Sequence, residues 1–374
     1  MKRTGSLCLL QAAVLLLALS VGAPPLQAEG DPIYVGSLHS LSGYGAPAGV
    51  SEQRAVELAV EDINARGGVN GRRLKLLTED FRSDYKEIIS GFNKLFITRR
   101  IPVLFGPNWT EFSEALAPLA DRRRVVMITA SGYSPTLAAS HDYVLSMLPD
   151  NEVITRPLAE HLSRKRYQRL VVVKSANSYF EGLHDGLTAG LRRAGIRPAA
   201  VETVASPAQD FRPLVERLKR KSCDAVVLLL AETGDNAAFL RQARELGLKS
   251  RLYSGNSVNY DAVVSKDRAI AEGVVFFDFV AQSHPEFLER YRQRFGETPY
   301  FSAPQAYDSV GMAAAALAEC GEDSEKLITC LKGRRYSGVS GEIGFDREGN
   351  ITGIDRNTAL FRFSSGSVVG PIDE

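Results

Sequence analysis

The side chains best suited to chemistry in this 374-residue chain are loop hydroxyls and backbone amides, not acid–base or metal-ligating sets. Residues 40–49, 106–110 and 130–136 each follow a predicted strand and precede a predicted helix. A loop of this kind offers free N–H groups at a helix N-terminus together with a hydroxyl, which suits it to hold a carboxylate or another anionic group. Thr110 and Ser131 supply such hydroxyls, although both also fit the simpler role of helix caps. Trp109, the only tryptophan, stands beside Thr110 and fits either a ring stacked on a ligand or one buried beneath the loop. Glu232 closes an apolar run and fits either a ligand contact or the first-turn acid of a helix starting near Asp235. Enzyme patterns are weak by comparison. Gly43 to Ala48 formally fits G-x-G-x-x-A, but Pro47 interrupts the lead into a helix whose stripe starts near Glu52, and no acidic residue ends a strand about 20 positions on, so an NAD-dependent dehydrogenase is a remote alternative. G-x-S-x-G, P-loop and H-E-x-x-H patterns are absent, and the histidines at 39, 141, 161, 184 and 284 lack ligand spacing, so neither enzymatic chemistry nor a metal or cofactor is expected.

These loops need a scaffold, and the stretch from 55 to 80 shows its kind. Val56, Ala59, Val60 and Ile63 fall at i, i+3, i+4 and i+7, the stripe of an amphipathic helix, with Arg54, Glu57 and Glu61 on the water side. Gly67 and Gly68 stop the helix, Asn70 and Gly71 turn the chain, and Leu74, Leu76 and Leu77 begin a strand. With a strand at 33–38, this is one strand, loop, helix, strand unit of the parallel kind. Strand and helix patterns then alternate to the end of the chain. A second series begins after Pro149-Asp150-Asn151, and the fold class is α/β with parallel sheets.

Residues 1–28 carry a Lys2-Arg3 head, an apolar run over 7–19 and Leu26-Gln27-Ala28, the layout of a secretory signal peptide. Removing its two basic residues takes the formal charge from +1 to −1 and leaves 346 residues, enough for two domains and too neutral to favour nucleic acid or an anionic membrane surface. No later run is long and apolar enough to span a bilayer, so no membrane insertion is expected. In an oxidising compartment Cys320 and Cys330, which flank a short polar stretch, are expected to bridge, while Cys223 opens a buried strand as a small core residue.

The run EDINARGGVNG at 61–71 resembles the signature of leucine-binding-type periplasmic receptors, the exported solute-binding subunits of bacterial ABC importers. The likeness continues through VLFGP at 103–107, VMIT at 126–129, SYFEGL at 178–183, FLRQAR at 239–244 and GFDREG at 344–349. It implies two doubly wound, Rossmann-like lobes joined by a three-crossing hinge: 29–148 with 277–355 as the first lobe, 149–276 with 356–374 as the second. It further implies a monomeric periplasmic protein that closes on a small polar or amphipathic ligand, an amino acid or a related amide or carboxylate, and delivers it to an inner-membrane permease. A ligand-sensing subunit for a signalling or chemotaxis partner is the alternative. Carried over position by position, the carboxylate-holding serine falls on Thr110 and the backbone-gripping stretch on Ser131, Gly132 and Tyr133. Tyr179 takes the place of the cleft tyrosine. Three positions depart from the pattern: Tyr133 puts a large ring where a small hydroxyl residue is expected, Asn256 replaces the glutamate that takes the ligand's amine, and Glu232 stands where a tyrosine is expected.

Overall fold

The computed structural model describes residues 30–280, 285–354 and 357–372; the leader expected at 1–28 lies outside them. In chain order the first lobe is β1 (Ile33–His39), α1 (Ala46–Ala65), β2 (Leu74–Asp80), α2 (Tyr85–Thr98), β3 (Val103–Phe105), α3 (Thr110–Arg123), β4 (Val126–Thr129) and β5 (Val144–Ser146). The second is α4 (Asn151–Lys165), β6 (Leu170–Ser175), α5 (Ser178–Arg193), β7 (Ala200–Val204), α6 (Arg212–Arg220), β8 (Ala225–Leu229), α7 (Asp235–Glu245), β9 (Arg251–Ser254), the short α8 (Ser257–Tyr260) and β10 (Val275–Phe279). The chain then returns with α9 (Pro285–Phe295), α10 (Ala303–Cys320), α11 (Ser324–Lys332) and a small antiparallel sheet, β11 (Arg335–Gly338), β12 (Gly341–Phe345) and β13 (Ile351–Thr352). It ends in β14 (Thr358–Ser364) and β15 (Ser367–Val369).

The first sheet is parallel, in the order β2-β1-β3-β4-β5. Its short strands β3, β4 and β5 are buried throughout, so they read as brief, mostly apolar runs, while β2 at the edge is only partly buried. Val103, Phe105, Val126 and Ile128 pack against α1 and the returning helices, while Leu104 and Met127 pack with Ile88, Phe92 and Leu116 of α2 and α3. The second sheet has the order β15-β14-β10-β9-β8-β6-β7, with only β14 and β15 antiparallel. Val172, Val227 and Phe277 face α4 and α5; Val173, Leu228 and Phe276 face α6 and α7. Helix α5 lies close on α4 because Gly186 has no side chain: a Cβ there would stand 2.5 Å from the carbonyl carbon of Asn151.

Helix α1 starts at Ala46, well before the stripe near Glu52. Pro47 sits in the first turn, where its fixed φ helps and its missing N–H is no loss. The first two turns escaped the apolar pattern because they bury polar side chains. Ser51 Oγ accepts from Tyr300 N–H at 2.8 Å, Glu52 Oε1 accepts from Ser302 Oγ at 2.7 Å, and Gln53 donates to Thr78 Oγ1 at 3.0 Å. The loop at 130–136 leads into a turn over 135–140 rather than a helix.

All of β10 belongs to the second sheet, with Phe276 opposite Phe361 and Phe277 opposite Leu360 of β14. The second crossing, expected between 276 and 277, therefore falls after Phe279; the third, expected between 355 and 356, lies outside the described residues. Residues flanking the crossings are hydrogen-bonded to one another. Val280 N–H donates to the Asn357 carbonyl at 2.6 Å, and Thr358 Oγ1 donates to the Val153 carbonyl at 3.2 Å.

Two predictions follow from this packing. The sulfurs of Cys320 and Cys330 meet across the α10–α11 turn, with Cα atoms 6.5 Å apart, and Cys223 is buried alone. Non-reducing peptide maps should recover 320 and 330 linked, and Cys320→Ser should lower the unfolding free energy by about 3 kcal/mol; alkylation of both thiols in the unreduced protein would refute the bridge. At the end of β10, burial pushes the Asp278 carboxyl up to about 7, against the hydrogen bonds it accepts from Asn259 at 3.0 Å and Phe279 N–H at 2.8 Å. A folded-state value above the unfolded one means that the folded protein holds the extra proton between these values, so this group's contribution falls as pH rises through that window. Urea titrations from pH 5 to 7 should show wild-type stability declining relative to Asp278→Asn by about 1.4 kcal/mol per pH unit. Parallel profiles would show that Asp278 is ionised throughout.

Candidate ligand-binding site

Parallel strands deliver the loops after their C-terminal ends to one edge, and here the edges of the two sheets face each other across a cavity of about 470 Å³. Tyr44 comes from the loop after β1, Tyr85 from the start of α2, Trp109 and Glu111 from the β3–α3 junction, and Ser131 from beyond β4. Opposite stand residues 176–180, from the β6–α5 loop into the first turn of α5, Ser206 and Pro207 after β7, and residues 231–233 after β8. Tyr300 and Phe301, just before α10, complete the wall.

Each contact has a local cause. Asn177 caps α5 by accepting from Phe180 N–H at 3.1 Å, which sets Tyr179 in the first helical turn. Tyr179 then donates its hydroxyl to Asn256 Oδ1 at 3.1 Å. Glu232 lies three residues before α7 rather than in its first turn, and its Oε1 accepts from the Tyr300 hydroxyl at 2.7 Å. Burial raises this carboxyl, and the Tyr300 bond only partly offsets that. Across the cavity Glu111 is also raised, first by burial, with the charges of Glu232 and Glu114 adding to it. Trp109 holds a positive φ of 71°, unusual for a residue with a side chain and costing about 1–3 kcal/mol. Its N–H donates to Ser131 Oγ at 3.1 Å, and its ring lies 5.2 Å from that of Tyr44 and packs against the apolar clusters of both lobes. On the other side Tyr260, Tyr300, Phe301 and Phe279 form a column of rings with neighbouring centroids 4.5, 4.8 and 5.0 Å apart. Seven aromatic and two acidic residues line the cavity; no Lys, Arg or His does so among the described residues.

Of the positions singled out from the sequence, Trp109, Ser131, Tyr179 and Glu232 meet at this cavity. Thr110, Gly132, Tyr133 and Asn256 stand behind it. The buried Thr110 hydroxyl donates to the Tyr133 carbonyl at 3.2 Å and accepts from the Tyr133 N–H at 3.3 Å, so it braces one loop on the other. Gly132 N–H is likewise engaged, by Thr129 Oγ1 at 2.9 Å; a Cβ at Gly132 would meet Ser113 Oγ at 2.3 Å. The Tyr133 ring takes up no cavity space. It is 6% exposed and donates its hydroxyl to Asp150, at the first crossing. Asn256 is 1% exposed and orients Tyr179 from behind, with its own Nδ2 unpaired. Tyr44, Tyr85, Glu111, Tyr300 and Phe301 were not anticipated. Tyr44 lay within a loop already marked and Glu111 directly beside another; Tyr300 and Phe301 carried no local signal, because only the return of the chain brings them here.

Known proteins share this architecture. Residues 32–367 match a family model described as periplasmic binding protein. The Leu/Ile/Val/Thr-binding protein of Salmonella typhimurium is 24% identical over 334 residues, covering 87% of this chain and 90% of its own length. LivJ of Streptococcus pneumoniae, a branched-chain amino acid transporter substrate-binding protein solved with isoleucine, superposes with a TM-score of 0.78 at 23% identity, covering 91% of this chain and 98% of its own. A solute-binding protein of an ABC transporter from Rhodopseudomonas palustris, solved with 3,4-dihydroxybenzoic acid, gives 0.78 at 19% identity, covering 91% and 98%. With the family model spanning nearly all of the described residues, the chain belongs to the periplasmic binding proteins and has their two-lobed type I fold.

Proposed function

We propose that this protein captures a small amine-bearing molecule of the amino-acid class between its lobes in the periplasm and presents the closed form to an inner-membrane ABC permease. The observation that carries this reading is the Glu232 carboxylate, raised by burial, at the cavity wall where β8 ends. An ammonium group seated there replaces the water that closure removes and pairs a charge that is otherwise costly to bury. The ligand's carboxylate is served by the Ser131 and Thr233 hydroxyls and by the first turn of α5, whose N-terminus favours negative charge. Relatives of this fold bind ligands as different as isoleucine and 3,4-dihydroxybenzoic acid. Among the described residues no cationic side chain lines this cavity to neutralise a simple aromatic acid, which favours the amine-bearing class. No step of bond chemistry is involved: a ligand touching both walls stabilises the closed state by its differential affinity for it.

A thermal-shift screen over amino acids, amides and aromatic carboxylates tests the class, since a ligand at 100 times its dissociation constant adds about 2.7 kcal/mol. With the best amine-bearing ligand, calorimetry should show Glu232→Gln weakening binding by about 2–5 kcal/mol and Asn256→Ala costing less, because Asn256 acts only through Tyr179. Undiminished binding in Glu232→Gln would remove the carboxylate from the site. Small-angle scattering should give a smaller radius of gyration with that ligand than without it; an unchanged radius would argue against hinge closure.

A further inference from the structure

Glu111 has no part in the amine site at Glu232, yet it faces the same cavity from the opposite lobe. It stands half-buried in the first turn of α3, where its carboxylate accepts from its own backbone N–H, and no ion pair or hydrogen bond from another side chain reaches it among the described residues. Tyr44, Tyr85 and Trp109 line the cavity beside it, and its charge raises the hydroxyl pKa values of both Tyr44 and Tyr85, although burial is the larger cause. Carboxylate and rings together are suited to a cation: the charge pairs with the acid, and the faces of the rings attract it through their quadrupoles. An aliphatic side chain placed there on closure would strip water from Glu111 and return nothing, and an anionic group would be repelled by it.

Resting on the reading of Glu232 as the amine site, we propose that the ligand carries a second positive group, an ammonium or guanidinium, which lies between Glu111 and the rings of Tyr44, Tyr85 and Trp109. The substrate class is then a basic amino acid. A ligand of this kind reaches across the cleft, one charge on each lobe, so the pairing at Glu111 forms only when the lobes close. The ordinary neutral side chain of a branched amino acid would leave one wall's carboxylate uncompensated.

Calorimetry on the full-length protein with L-arginine, L-lysine and L-leucine separates the possibilities. At least one basic amino acid should bind about tenfold or more tighter than leucine. Glu111→Gln should reduce that preference to near unity by weakening the basic ligand while leaving leucine within about threefold. Tyr44→Leu, at a half-exposed ring on the cavity rim, should weaken the basic ligand in the same direction by a smaller factor, which covers the case of a Glu111 variant that fails to fold. Leucine binding as tightly as or more tightly than both basic amino acids, with affinity lost in Glu232→Gln, overturns the second cation site and leaves the amine site standing. Failure of all three to bind overturns both.

Discussion

A parallel sheet must bury both of its faces, and in the first lobe the leading segment does not have enough helix to do so. Helices α2 and α3 cover one face, and α1 alone lies on the other. The cover is completed by α10 and α11, which reach the first lobe only after the chain has built most of the second. The obligation to cover that face therefore sends the chain back, and the return makes the second and third crossings. It also carries Tyr300 and Phe301 to the cavity. Ser51 and Glu52 on α1 fix the returning segment by accepting from Tyr300 N–H and the Ser302 hydroxyl, and Tyr300 in turn donates to Glu232 on the facing lobe. One chain of hydrogen bonds runs from the buried face of α1 to the floor of the cleft.

The sequence showed the fold through periodicity and hid much of the site for the same reason. Alternating apolar runs and helical stripes marked nearly every strand and helix of both lobes, because two-sided burial leaves a strong hydrophobic record. It failed where burial is polar. Ser51, Glu52 and Gln53 sit in the core through hydrogen bonds, so the start of α1 was placed late. The strands β11 to β13 are short and glycine-rich and left no pattern. Within the loops, residue type alone could not distinguish a hydroxyl aimed at the cavity from one aimed at the next loop. Ser131 and Thr110 illustrate the two outcomes, since both accept an N–H from a neighbouring loop yet only Ser131 also lines the cavity. Tyr133 shows the same limit. The size of the ring was plain, but that its hydroxyl turns to Asp150 at the hinge depends on tertiary placement.

The cleft is unlike a simple apolar pocket in its electrostatics. Acidic groups stand on both walls with aromatic rings around them, and among the described residues the positive ends at the cavity are backbone groups at the start of α5 rather than side chains. Hydroxyls such as Tyr179 and Tyr300 are each held by a neighbour, which fixes their geometry in advance. Preorganisation of this kind lowers the ordering cost of closure.

The position of Tyr300 late in the chain has a consequence for synthesis and truncation. It pairs with Glu232 and anchors to Ser51, contacts that span 68 and 249 residues. Contacts so distant in sequence form slowly, after local structure is in place. A chain ending before residue 300 contains every strand of the first sheet and the wall loops after β1, β3, β4, β6, β7 and β8, yet lacks Tyr300 and Phe301 of the wall, the donor to Glu232, and α10 and α11. Such a fragment uncovers much of the apolar face of α1, so cutting away the last fifth of the chain removes part of the cleft wall together with the cover of the first sheet.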